Sequence, residues 1–256
     1  LPWELPTTDP ELLALAKGYP YEHPGSSYLY RDGAASPLSE ADGARFDGRT
    51  PVIAHGSNRS PAQLRRKFDY LAGDDSEIPV TRAWLCDHDV VYSAHITRYG
   101  AIAANLQHAP GVRVELFVTW LDAVQLERMH ATEFGSETYV YGHLTGVVLD
   151  LEHGPVPSLN RASVYLSKRG CLTDHHQDHS PQAIGLAAVP AEGRPYRSLA
   201  QGEVLAYVQD RFGGDEHLDD HILETVRNND RRQELVAAMT ATAVPPAAPH
   251  FEEEPL

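Results

Sequence analysis

Residues 52–64 constrain this chain more than any other stretch. The apolar run Val52-Ile53-Ala54 stops at Gly56-Ser57-Asn58 and gives way at Ser60-Pro61 to a helix start. A serine cap with proline in the first turn is a favoured helix opening. A strand that ends in such a turn leaves backbone N–H groups at its tip, a natural seat for a carboxylate or an oxyanion. Glycine followed by small polar residues lets a ligand approach that backbone closely. Alone, the turn is a weak signal. The residues downstream strengthen it.

A chain of 256 residues suits one large domain, or a domain with appendages, and can bury a sizeable core. With 36 acidic against 21 basic residues, the net charge of −15 argues against a phosphate-binding surface and hence against nucleic acid as a partner. Cys86 and Cys171 make no disulfide framework and have no metal-type spacing. No run is long enough to cross a membrane, and no charged-then-apolar leader opens the chain. The expected setting is therefore the cytoplasm, with a small molecule as partner and no membrane. The first residue, Leu1, reads as a trimmed end. The oligomeric state is left open.

Along the chain, residues 1–50 read as an extension wrapped over a core, with a short helix over 10–17 capped by Asp9. A strand over 52–54 and a helix over 61–70 follow. Strands are expected over 83–93, 101–106, 112–120, 139–151 and 162–166. A turn is expected at Ala109-Pro110-Gly111, and a helix over 122–131. Helices are expected over 199–212, 217–226 and 230–240, and a tail over 244–256 reads as disordered or draped. Strands and helices mix without regular alternation. The fold class is thus α+β, built on a small curved sheet or β-barrel with surrounding helices. The expected organisation is an N-terminal extension (1–50), a catalytic domain (51–212), C-terminal helices (213–243) and a flexible tail (244–256).

The order of these pieces resembles the γ-glutamyl cyclotransferase-like (AIG2-like) family. The residues that carry the resemblance are the His55-Gly56-Ser57-Asn58 turn, the small-residue strand Ala101-Ile102-Ala103-Ala104, Pro110-Gly111, the helix end at Glu133, Tyr139-Val140-Tyr141 and Val164-Tyr165-Leu166. It spans roughly residues 51–210. The chain departs from the family pattern at His55 (usually Tyr), Arg59 (usually apolar), Leu116 (commonly Gly) and His130 (often an acid).

The resemblance implies an enzyme that folds a γ-glutamyl group onto itself. The α-amine attacks the side-chain carbonyl, 5-oxoproline forms and an amine leaves. Positioning does most of this work, since a well-oriented intramolecular reaction has an effective molarity on the order of 10⁵ M or more. It implies Glu133 as the general base and acid, with a pKa raised toward neutrality by burial. It implies Gly56, Ser57 and Asn58 as the seat of a carboxylate or oxyanion. Tyr165, either bonded to substrate or to Glu133 or a core tyrosine with its hydroxyl satisfied elsewhere, and Tyr139 complete the implied set. No metal and no cofactor is implied.

Several residues keep two readings. Arg59 clamps a second carboxylate or lies on the surface of the helix start, and the surface reading is preferred. His55 carries protons or stands in for the family tyrosine. Asp174, His175, His176, Asp178 and His179 look like a metal cluster, with His175 and His179 at i, i+4 spacing. No helical pattern surrounds them, so a solvated loop is preferred. Two other functions compete: hydrolysis or acyl transfer on another small amide by the same site, and a non-catalytic metabolite-binding module.

Overall fold

The structure, a computed structural model, describes residues 3–134, 138–174 and 182–255. Its centre is a five-stranded closed sheet: β3 (Thr50–Ala54), β4 (Ile78–Ile96), β5 (Ile102–Leu121), β6 (Tyr139–Leu151) and β7 (Ser158–Ser167). The ring runs β5-β3-β7-β6-β4 and closes through β4–β5. Only β3–β7 is parallel, meeting at Val52↔Ser163. The chain is therefore α+β, with a barrel at its core, as the mixed pattern predicted.

Alternation along the strands sorts the side chains into two layers. Ile53, Leu85, Leu116, Val118, Leu149 and Val164 belong to the large inner core. Val52, Ala54, Phe117, Tyr141 and Tyr165 belong to a second cluster that also takes in Leu64, Phe68 and Met129. Those last three come from α2 (Pro61–Phe68) and α3 (Ala123–Glu133), which therefore cover the outer face beside β3. The start of α3 is fixed by a reciprocal cap: Gln125 N–H donates to Asp122 Oδ1 at 2.9 Å, and Asp122 N–H to Gln125 Oε1 at 3.2 Å.

The expected turn at Ala109-Pro110-Gly111 is not a turn. These residues lie inside β5, where the register with β4 passes from Cys86↔Arg113 to His88↔His108. Residues 109–112 bulge opposite Asp87 alone, and Gly111, at φ 81°, gives its N–H to Asp87 Oδ1 at 2.8 Å. The pair Pro-Gly is equally at home in a bulge, so the sequence signal was ambiguous.

Residues 1–50 are more regular than a bare wrap. They hold α1 (Asp9–Lys17) and a hairpin, β1 (Tyr28–Arg31) and β2 (Ala34–Pro37), and β1 extends the sheet by pairing Tyr28↔Val80. Thr8, not Asp9, stands at the cap of α1. Three C-terminal helices, α4 (Gln201–Phe212), α5 (Leu218–Arg227) and α6 (Asn229–Thr242), pack Val204, Ile222, Val236 and Met239 into the inner core. The tail is draped: Phe251–Glu253 pairs with β6, and Cys171 N–H donates to the Val244 carbonyl at 2.8 Å. Among the described residues no helix is long and apolar enough to cross a membrane.

Candidate active site

Where β3 ends, the chain passes through His55 and Gly56 into a single 3₁₀ turn, Ser57–Arg59, and then into α2. Ser60 stands at the cap of α2, but its hydroxyl donates to the Glu22 carbonyl at 2.7 Å rather than to the helix. The N-terminal extension is thereby tied to the turn.

Gly56 has the close approach expected of it, though the neighbour is part of the protein. A Cβ there would overlap the Tyr19 hydroxyl and come to 3.4 Å from the Ala104 Cβ. The same hydroxyl accepts the Ala104 N–H at 2.8 Å. A tyrosine from the N-terminal extension thus rests on the turn.

Glu133 ends α3 beside this turn. Asn58 Nδ2 donates to Glu133 Oε1 at 3.1 Å, and the Lys67 ammonium donates to the same oxygen. The Glu133 side chain is only 15% exposed and that of Lys67 only 5%. Burial pushes the Glu133 pKa up, but the Lys67 charge, the hydrogen bonds from Lys67 and Asn58, and nearby His55 outweigh it. The net shift is downward. This corrects the expectation of a carboxyl raised toward neutrality: the counter-charge from α2 reverses the sign set by burial.

The other implied residues divide. His55 is buried, and burial lowers its pKa to about 4, so its imidazole is neutral at pH 7. Its Nδ1 is buried without a partner. Tyr139 is close enough to Glu133 to feel its charge, and burial raises its pKa well above the ordinary value. Ser57 shares a hydrogen bond with Tyr99. Tyr165 does not bond to Glu133; its hydroxyl pairs with His130 Nδ1 at 2.8 Å, although the Glu133 charge reaches it. Arg59 is not a surface residue. It is 1% exposed, the largest fully buried side chain among those described.

Four residues of the cluster went unread in the sequence: Lys67, His95, Tyr19 and Tyr99. Lys67 carried a signal, because it lies three residues after Leu64 on the face of α2 that buries Gln63, Leu64 and Phe68. His95 stands on β4, its ring 6.3 Å from that of Tyr139, and burial lowers its pKa to about 4. Its Nδ1 has no partner, and neither has Asn58 Oδ1. Three buried polar atoms around Glu133 are therefore unpaired, which is uncommon in a settled core and usual where a ligand or water binds. Tyr19 and Tyr99 come from segments whose place at the site depends on tertiary packing alone.

A cleft of about 750 Å³ lies between the N-terminal segment and the outer sides of α2 and α3, lined by Trp3, Arg66, Tyr70 and Val124. It includes none of the residues that surround Glu133. Of the histidine-rich loop only Asp174 lies within the described residues, where its carboxylate pairs with Arg197 at 3.2 Å. Residues 175–181 lie outside them. No group of three His, Cys, Asp or Glu side chains placed to hold a metal occurs among the described residues.

No family model and no curated protein matches the chain. Among solved structures it is similar to a γ-glutamyl cyclotransferase, at 14% identity and a TM-score of 0.37, over 75% of this chain and 88% of that one. It is similar to an uncharacterized protein from Homo sapiens at 13% identity and a TM-score of 0.36, over 75% and 89%. A protein from Arabidopsis thaliana known from its solution structure gives 15% identity and a TM-score of 0.34, over 47% and 70%. The chain is thus similar to solved structures that include a γ-glutamyl cyclotransferase, the family that its Gly56-Ser57-Asn58 turn and Glu133 resemble in sequence.

Proposed function

We propose that this chain is a γ-glutamyl cyclotransferase-type enzyme that releases 5-oxoproline and an amine from a small γ-glutamyl amide. The observation that carries the reading is the buried Glu133 carboxylate, held by Asn58 of the turn and by Lys67.

Glu133 enters the reaction as an anion, since its pKa is lowered. It accepts a proton from the substrate's α-ammonium. The freed amine attacks the γ-carbonyl, and negative charge gathers on its oxygen near the backbone N–H groups of the turn. Losing one donor of this type commonly costs about 3 kcal/mol in the barrier. As the intermediate collapses, the C–N bond to the leaving amine breaks and Glu133 returns its proton to that nitrogen; the second proton, left on the attacking nitrogen by the new C–N bond, passes to the released amine, which departs as an ammonium. A carboxyl group held low is a weak base and a strong acid. The first transfer is therefore the harder half, and donation to the leaving nitrogen the easier.

One feature favours hydrolysis as the second reading. His55 and His95 are neutral imidazoles with a free ring nitrogen beside Glu133, a setting that can activate water. Mass spectrometry of the products separates the two. Incubation with γ-glutamyl amides yields 5-oxoproline on the cyclisation reading and free glutamate on the hydrolytic one. Release of neither from a broad panel would overturn both.

A further inference from the structure

Arg59 is the least satisfied charged group near the site. Its Nη2 donates to the Ala188 carbonyl at 3.1 Å, while Nε and Nη1 are buried with no partner. Among the described residues no carboxylate lies within ion-pair distance of it. Glu115 is the acid whose charge it feels, and Glu115 lies instead 3.8 Å from Arg82, which also holds Glu152 at 2.7 Å. The remaining neighbours Tyr19, Tyr28 and His23 bring no negative charge at neutral pH.

A guanidinium cannot escape this position by losing its proton. A buried charge without a partner is costly, so a residue of this kind needs a reason. The position ties it to the site. The charges of both Arg59 and Glu133 reach Tyr19 and His55, and Arg59 directly follows Asn58, which donates to Glu133. Glu133 and Lys67 pair with each other, whereas the buried Nε and Nη1 of Arg59 have no partner among the described residues. A ligand carboxylate is the group that fits such a guanidinium edge, which offers two parallel N–H donors.

We infer that Arg59 is a specificity-determining residue that pairs with a carboxylate of the ligand. The inference rests on the cyclotransferase reading for its substrate but not for its chemistry: the unpaired guanidinium calls for an anion whichever bond is broken.

Two probes that differ only in a carboxylate test it: γ-glutamyl-glycine and γ-glutamyl-methylamide. The wild-type protein is expected to prefer the first in kcat/KM by at least about tenfold, the scale of a well-made buried charge contact. Arg59→Met removes the preference and Arg59→Lys keeps part of it. Equal kcat/KM for the two probes in the wild type overturns the inference while leaving the cyclotransferase reading intact, and this arm needs no variant to fold. A second arm needs no turnover. Thermal shift with glutarate, compared with its monoamide, is expected to stabilise the wild type and not Arg59→Met. If neither amide yields 5-oxoproline but glutarate alone stabilises the wild type, the reaction is wrong and the role of Arg59 stands. No difference between glutarate and its monoamide counts against Arg59.

Discussion

Lys67 donates to Glu133 across the α2–α3 interface, and this contact decides the ionisation of the candidate base. Without it, burial would dominate and push the carboxyl up. Lys67→Met is therefore expected to move the acid limb of the pH–rate profile from below the ordinary glutamate value of 4.5 to above it. An unmoved limb would show that Lys67 does not set the ionisation of Glu133. The pair also bears on stability. A depressed carboxylate contributes stability above its unfolded pKa and loses it as pH falls through the folded one. Breaking a buried pair on one side costs about 3 kcal/mol or more, so Lys67→Met should also lower the urea midpoint at pH 7.

His55 and His95 act in a different pH window. Both are held neutral, with pKa values of about 4 against 6.5 for a free histidine. The unfolded chain therefore takes up protons below pH 6.5 that the folded chain refuses. Each histidine should cost about 1.4 kcal/mol per pH unit as pH falls from 6.5 toward 4. Urea denaturation at pH 7, 6 and 5 should show a steep decline that His95→Asn makes shallower. A flat wild-type profile between pH 7 and 5 would contradict the burial of neutral imidazoles.

Gly56 and Tyr19 should behave as a coupled pair. Gly56→Ala drives a methyl group into the Tyr19 hydroxyl and strains its bond with the Ala104 N–H. The expected loss is about 1–3 kcal/mol, typical of overpacking. Tyr19→Phe removes the oxygen that clashes, so the double variant should lose less than the sum of the singles. A double-mutant cycle measures this coupling, and additivity within about 0.3 kcal/mol would mean that the two residues do not meet.

Away from the site, the barrel holds a buried ion pair. Arg194 clamps Asp89 with Nε at 2.6 Å and Nη2 at 2.7 Å, and the Asp89 side chain has no exposed surface. Arg194→Met leaves that carboxylate unpaired and should cost about 3–5 kcal/mol. Asp89→Asn in the same background should recover part of it, read from thermal or urea unfolding.

The legible part of this molecule was set by short-range pattern. The strand expected over residues 139–151 coincides with β6, the Ser60-Pro61 pair marks the start of α2, and an α+β fold on a curved sheet or barrel follows from the irregular order of elements. The errors lie where several physical states share one sequence signal. Pro110-Gly111 suits a hairpin turn or a bulge, and only the partner residue Asp87 decides. Arg59 at a helix start is ordinarily solvated; here the loop around Ala188 and the hydroxyl of Tyr28, which donates to the Arg59 carbonyl at 2.7 Å, close over it. The sign of the Glu133 shift is not legible in the sequence, because Lys67, in the basic run Arg65-Arg66-Lys67, looks like one more surface cation. Its burial requires α3 to be in place against α2. Nothing local could place Tyr19 on Gly56, since 36 residues of intervening chain must fold back first.

Glu133→Gln tests the central claim most directly. The amide keeps the size of the side chain and can still meet Asn58 and Lys67, but it can neither take nor return a proton. Incubated with γ-glutamyl-glycine and followed by mass spectrometry, the wild type should release 5-oxoproline. The variant, shown to be folded by circular dichroism, should release at least about 10²-fold less, the scale of a lost general base. Release of 5-oxoproline by the variant at the wild-type rate would contradict the assignment of Glu133.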